Sequence, residues 1–367
     1  MALPAPRKLL LAALFALASL VCLQAVASAA RPSALAPRKG VSRAAASAAS
    51  AQLFAPDSFW NAPPTRAARL DPASPRLICS LRLEVEREVA AETGPWIGTS
   101  RYSVPIYTVG PDQPTVRVRL TSPVHSPALQ AAFEAVPLPP GAFPSGGTDA
   151  HLVVWQPASD RLWEFWRFRR GPGGPSAEWG GAMENVSASS GAYGESSWPD
   201  AEPWWGASAS SLSIAGGLIT LEDLRRGEID HALAIALPQI RAGVYASPAR
   251  RTDGRSGDPL ALPEGARLRL DPRLDLDRLK LPRLTRMIAA AAQRYGLIVR
   301  DGAGGVQLFA QDPVTAPINP YTGPGGYFEG RYPTELLASF PWGRLQVLAM
   351  ELHADQTGRG LTRSSRR

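Results

Sequence analysis

Seven of the chain's ten tryptophans fall between Trp155 and Trp205, and the stretch begins with two segments whose alternation dictates how a pair of strands must meet. Residues 151–155 and 162–168 both read as strands. If Pro157 to Asp160 is a four-residue loop, Gln156 faces Arg161. Pairing back from there sets Val154 against Trp163, Val153 against Glu164 and His151 against Trp166. Leu152, Val154, Trp163 and Phe165 then share a wholly apolar face suited to a core. Asp149, His151, Val153, Glu164, Trp166 and Phe168 share the other. A one-residue slip would exchange the two faces.

The second face combines two carboxylates, an imidazole and two large rings. A carbohydrate groove needs these groups together, because rings stack on the C–H faces of sugars and carboxylates bind hydroxyls or move protons. The expectation is that Glu164 and Asp149 act as acid and base, with His151 and His231 assisting or binding hydroxyls. Trp166, Trp179 and Phe168 would wall the groove. The competing arrangement packs this face under the loop-rich segment 171–211, as a satellite core.

The first residues read as a secretory leader. Arg7 and Lys8 precede an apolar run from Leu9 to Leu23, and Ala27-Ser28-Ala29 supplies small residues for cleavage. The run is short for a membrane span. Cleavage near Ala29 would remove Cys22 and leave Cys79 as the one cysteine, so the exported chain would be held by its core rather than by a disulfide. Residues 30–50 read as a flexible linker, 51–350 as a single β-rich domain and 351–367 as a basic tail. The formal net charge of +7 is concentrated in these ends. Residues 1–50 carry six basic groups and no acids, and the tail carries four arginines against Glu351 and Asp355. The body is near neutral, which argues against a phosphate-tracking, nucleic-acid-binding surface.

Two helices are expected. One opens at Ser74-Pro75 with Leu77, Leu81, Val85 and Val89 at four-residue spacing and ends by Gly94; Cys79 should pack near its stripe. The other runs from Leu281 to Tyr295. Short strands dominate elsewhere, including Ile229–Leu237, Ala266–Leu270, Leu297–Val299 and Val306–Phe309. The pattern predicts a mainly β fold, an antiparallel jelly-roll-like sandwich with about two peripheral helices.

Other polar residues point to local roles. His231 lies by parity with Ile229, Leu233 and Ile235 on an apolar strand face. The four histidines show no zinc spacing, and no metal or other cofactor is expected. Asp271, Asp275 and Asp277 lack the central glycine and terminal glutamate of a calcium loop, so capping roles fit them better. Asp301-Gly302 reads as a tight turn in which the aspartate serves the backbone. No Gly-x-Ser-x-Gly elbow is present.

Ser58-Phe59-Trp60-Asn61, Asp149-Ala150-His151, Trp163-Glu164-Phe165-Trp166, Gly227 to Leu233, Glu264 to Pro272 and Arg294-Tyr295-Gly296 together resemble a family of secreted bacterial mainly-β proteins to which no reaction is attached. Trp163 stands where that family would show tyrosine. The resemblance implies one exported domain and transfers no active site. The residues themselves predict an exported carbohydrate-active protein, a candidate glycoside hydrolase or polysaccharide lyase acting on a polysaccharide. The alternative is a non-catalytic glycan-binding or structural extracytoplasmic protein.

Overall fold

The computed structural model describes residues 53–65 and 67–355. The expected leader, linker and Cys22, and the tail beyond residue 355, lie outside them. The described chain holds 15 strands in mixed sheets and five α-helices. None of these helices is long and apolar enough to cross a membrane.

The larger sheet has six strands in the order β1 (Trp96–Gly98), β13 (Gln307–Phe309), β9 (Leu233–Leu237), β12 (Leu297–Gly302), β11 (Arg267–Leu270) and β14 (Leu345–Val347). The pairs β1/β13 and β9/β12 are parallel; the other three are antiparallel. A second sheet orders β2 (Ile106–Thr108), β4 (Leu152–Gln156), β5 (Arg161–Trp166) and β8 (Trp179–Glu184), with β2/β4 parallel. Two small sheets complete the set: β3 (Arg119–Leu120), β7 (Gly174–Ala177) and β6 (Arg169–Gly171), and β10 (Val244–Ala246) with β15 (Leu352–Ala354). Strand β15 falls inside the segment expected to be tail.

Strand β9 explains the layering. Its Leu233, Ile235 and Leu237 join one apolar cluster, whereas Ala234 and Ala236, with Ala232 just before the strand, join another. The large side chains meet helices α1 (Ser74–Ala90), α4 (Arg283–Arg294) and α5 (Pro333–Ala338), through Leu77, Leu81, Val85, Leu284, Ile288 and Leu336. Each such side chain contributes about 1.5–3 kcal/mol by leaving water. The alanines leave room on the opposite face for the second sheet, whose Leu152, Val154, Trp163 and Phe165 fill the other cluster. The short helices α2 (Pro127–Ala132) and α3 (Leu221–Arg226) complete the set.

The result is helices, mixed sheet, second sheet, rather than the antiparallel jelly-roll expected. The difference arises because the bulky face of β9 requires cover from helices, and these are therefore a layer rather than peripheral. Two details of α1 also differ. Ser74 lies inside the helix, and its hydroxyl accepts the Val347 N–H at 2.8 Å instead of capping. Cys79 is exposed rather than packed on the stripe.

Candidate active site

The β4–β5 hairpin pairs Gln156 with Arg161, Val154 with Trp163, Val153 with Glu164 and Leu152 with Phe165, which is the register read from the sequence. The apolar face is core: Leu152, Val154, Trp163 and Phe165 are all buried. The polar face divides into residues that reach a cleft and residues that do not.

A cleft of about 1370 Å³ opens beside the hairpin. Asp149, His151, Trp166 and Trp179 line it, joined by Trp204, Tyr245, Arg251 and Asp301. Two residues of positive φ shape its wall. Ala150 (φ 41°) separates Asp149 from His151, and Arg167 (φ 52°) follows Trp166. Such conformations cost non-glycine residues free energy and collect where a side chain must be aimed. The two segments are tied together, Arg167 N–H to Asp149 O at 2.6 Å and Phe168 N–H to Ala150 O at 3.1 Å. The Trp166 indole donates to Asp149 Oδ1 at 3.3 Å. The turn at Arg167 breaks the alternation, so Phe168 swings into the core against Phe165, with ring centroids 5.6 Å apart. Phe168 therefore does not wall the cleft.

His151 is only 4% exposed, and neither ring nitrogen makes a well-formed hydrogen bond, although the Ala207 backbone lies close enough to favour its protonated form. A buried polar group left unpaired is costly and calls for an explanation. Burial lowers its pKa to about 4 and the Arg300 cation adds to that, while Asp149 and the Ala207 backbone oppose it. The imidazole is thus neutral near pH 7, with one nitrogen able to accept a proton.

Asp301 reaches the same space through an irregularity in β12. Ile298 pairs with Ala234 and Val299 with Ile235, but Asp301 pairs with Ala236. Arg300 is the extra residue. Without this bulge Asp301 would follow Leu297 and Val299 towards the helices; with it, Asp301 shares the inner face of Ala236. Arg300 is fully buried and donates to the carbonyls of Ile214 and Gly216, both at 3.0 Å. Burial raises the Asp301 pKa to about 7; the Asp253 and Asp149 carboxylates add to this, against Arg300 and the Ala209 N–H.

Glu164 lies beneath the cleft, not in it. It is fully buried and does not line the space. Its Oε1 accepts from Ala207 N–H at 2.8 Å; Oε2 accepts from Ser213 Oγ at 2.8 Å and Ile214 N–H at 3.0 Å. Residues 206–209 form the cleft floor, so Glu164 holds that floor from below. The floor lies close to β8: a Cβ at Gly181 would come within 2.5 Å of the Tyr193 ring and 3.0 Å of Gly206 N. Burial pushes the Glu164 pKa up to about 7 despite the three donors and Arg300.

His231 is also remote from the cleft. Its Nε2 lies 3.0 Å from Asp223 Oδ2 and its Nδ1 2.9 Å from Ala232 O. Asp223 is committed besides to the capping box of α3 with Thr220 and to Arg226. His231 precedes β9 rather than lying within it, so strand parity does not place it. The roles expected for Asp271, Asp275 and Asp277 are local: Asp271 accepts from Arg273 and Arg344, Asp275 from the Asp277 N–H, and Asp277 pairs with Arg286. Among the described residues no group of three or more His, Cys, Asp or Glu side chains is placed to hold a metal ion.

No family model, curated protein or solved structure matches the chain. The resemblance noted in the sequence thus adds no assignment, and function must be argued from the cleft. The turn expected at Asp301-Gly302 assigned Asp301 only a backbone role; its Oδ1 does accept the Gly302 N–H at 2.9 Å, but its carboxyl also lines the cleft, which no local pattern marks. Sequence reasoning also missed Trp204, Tyr245 and Arg251, which arrive from distant segments with no local pattern to mark them.

Proposed function

We propose that the protein is an exported glycan-cleaving enzyme, with Asp301 as general acid and Asp149 as its partner carboxylate. What carries the reading is the convergence of Asp301, Asp149 and the unpaired His151 on one cleft walled by Trp166, Trp179 and Trp204. Indoles stack on sugar rings and position the chain. A carboxyl with a pKa near 7 is still protonated in about half the molecules at neutral pH and can give its proton to the departing glycosidic oxygen, while a second carboxylate activates water or attacks the anomeric carbon. His151 binds a substrate hydroxyl or takes up a proton through its free nitrogen.

This assignment moves the acid role from Glu164 to Asp301, since Glu164 has no path to substrate. The test is release of reducing ends from a panel of polysaccharides by wild type, Asp301→Asn and Glu164→Gln. Asp301→Asn should lose about 10²–10⁴-fold in kcat, the range for general acid–base catalysis. Glu164→Gln should keep its activity per folded molecule. If Asp301→Asn stays fully active, Asp301 is not the acid. The second reading is a glycan-binding protein without catalysis, which the same indoles would serve; it predicts quenching of tryptophan fluorescence by glycans with no ends released.

A further inference from the structure

The groups that meet at the cleft continue past the two carboxylates in both directions. On one side the Trp166 indole donates to Asp149, Trp166 pairs with Trp179 across β5 and β8, and the Trp179 indole donates to the Trp204 carbonyl at 3.4 Å. The Arg167 guanidinium takes one face of Trp166, 4.1 Å from the ring centroid, but Trp204 stands 37% exposed. On the other side Asp301 is followed by Gly302. Gly302 and Asp253 line the cleft and also a second hollow of about 470 Å³. Gln239, Ile240, Arg255, Ser256 and Ala303 belong to that hollow only, and among the described residues no aromatic ring lines it.

Asp149 and Asp301 therefore stand where a stretch of indoles meets a stretch without rings. An enzyme that trims chain ends needs a wall beside its catalytic groups, to stop the chain after a unit or two. Past Asp301 the way is open. Gly302 has no side chain and is exposed, and a Cβ added there would come no closer than 3.7 Å to Ile240 Cγ1. The cleft, at about 1370 Å³, is also larger than the roughly 300–1,000 Å³ that seats one drug-sized ligand.

We infer that the enzyme cuts inside a chain: a linear polysaccharide crosses the join at Asp253 and Gly302, indoles holding one part and the smaller hollow seating the units beyond the cut. The inference rests on the glycan-cleaving reading and adds to it the mode of attack and the substrate class, a long unbranched chain rather than a chain end. The bond broken is the glycosidic C–O. Its oxygen takes the Asp301 proton, and water supplies a hydroxyl to the anomeric carbon and a proton in return. In the smaller hollow the exposed Arg255 guanidinium donates to sugar hydroxyls. Because that side has no ring to stack on, its product leaves first.

The experiment follows viscosity and reducing ends together on soluble β-1,4-glucan, β-1,3-glucan, xylan and polygalacturonate. On whichever is cut, viscosity should collapse while few ends have been released, and the first products should be oligomers of mixed length. Two variants address the smaller hollow. Ala303→Trp fills it, and Arg255→Ala, at an exposed position, removes its donor without burdening the fold. Ala303→Trp should lower kcat/KM on the polymer at least about tenfold. Arg255→Ala should lower it several-fold, and both losses should be much smaller on the shortest oligomer that is cut. Products of one or two units, with viscosity falling in step with the ends, overturn internal cutting and leave the glycan-cleaving reading standing. Equal losses on polymer and shortest oligomer, or no loss on the polymer in either variant, overturn the crossing at Gly302. Release of no ends from any of these polymers removes both readings.

Discussion

Replacing Glu164 by glutamine sets two opposing effects against each other, and pH separates them. In the wild type one carboxylate oxygen serves Ala207 N–H and the other serves Ser213 Oγ and Ile214 N–H. A glutamine oxygen placed at Oε2 keeps the last two. Its amide nitrogen then faces the Ala207 N–H, donor against donor. Leaving that N–H unpaired in a buried site costs about 1–3 kcal/mol. The opposing effect is the charge. Burial raises the carboxyl pKa from its ordinary 4.5 to about 7, so the folded protein holds the proton more tightly than the unfolded chain. Below pH 4.5 both states are protonated. Between 4.5 and 7 the unfolded chain ionises first, and the wild type loses stability; above 7 the loss is complete. At roughly 1.4 kcal/mol per unit, the loss between about pH 5 and about pH 8 amounts to roughly 2–3 kcal/mol. Glutamine does not titrate and escapes it. Urea unfolding of both proteins at these two pH values should therefore show Glu164→Gln clearly less stable in acid and nearly equal, or more stable, in base. A stability difference that does not change with pH would refute a raised Glu164 pKa.

Three further outcomes follow from the same geometry. His151→Ala should reduce glycan cleavage per folded molecule by about two orders of magnitude or more and should also lower the melting temperature, because it empties the volume of a side chain only 4% exposed; kcat and a thermal melt on the same sample decide this. Asp223→Asn should destabilise by about 2 kcal/mol, since it weakens the α3 capping box and its links to Arg226 and His231, with kcat per folded molecule unchanged. Burial opposes protonation of His231, but Asp223 outweighs it and raises the pKa above 6.5. The stability from that pair is thus fully present below 6.5 and fades as pH rises through the raised value, a trend that Asp223→Asn should abolish in urea titrations.

The legible parts of the fold were those with a local cause. The hairpin register followed from alternation on both sides of a short loop, and α1 and α4 from apolar residues at helical spacing. Asp149, His151, Trp166 and Trp179 could be placed at the cleft because they flank that hairpin. Glu164 sits in the same register yet serves another purpose, because residues 206–214, about 40 to 50 positions further along, close over it and bond its carboxylate. Phe168 was misplaced by one positive φ at Arg167, and the cleft position of Asp301, read only as a turn residue, depends on one extra residue in β12. Neither irregularity leaves a mark in a hydrophobic period.

Alternation and spacing alone thus determined which residues could form strands and helices, and which strand faces were apolar. Only the folded chain decided which polar side chains meet solvent-filled space and which are sealed beneath the floor. Side-chain direction within a strand is a property of neighbouring residues, but exposure depends on what distant segments pack against that face. A bulge or a left-handed residue, held in place by those same distant contacts, can redirect the direction itself.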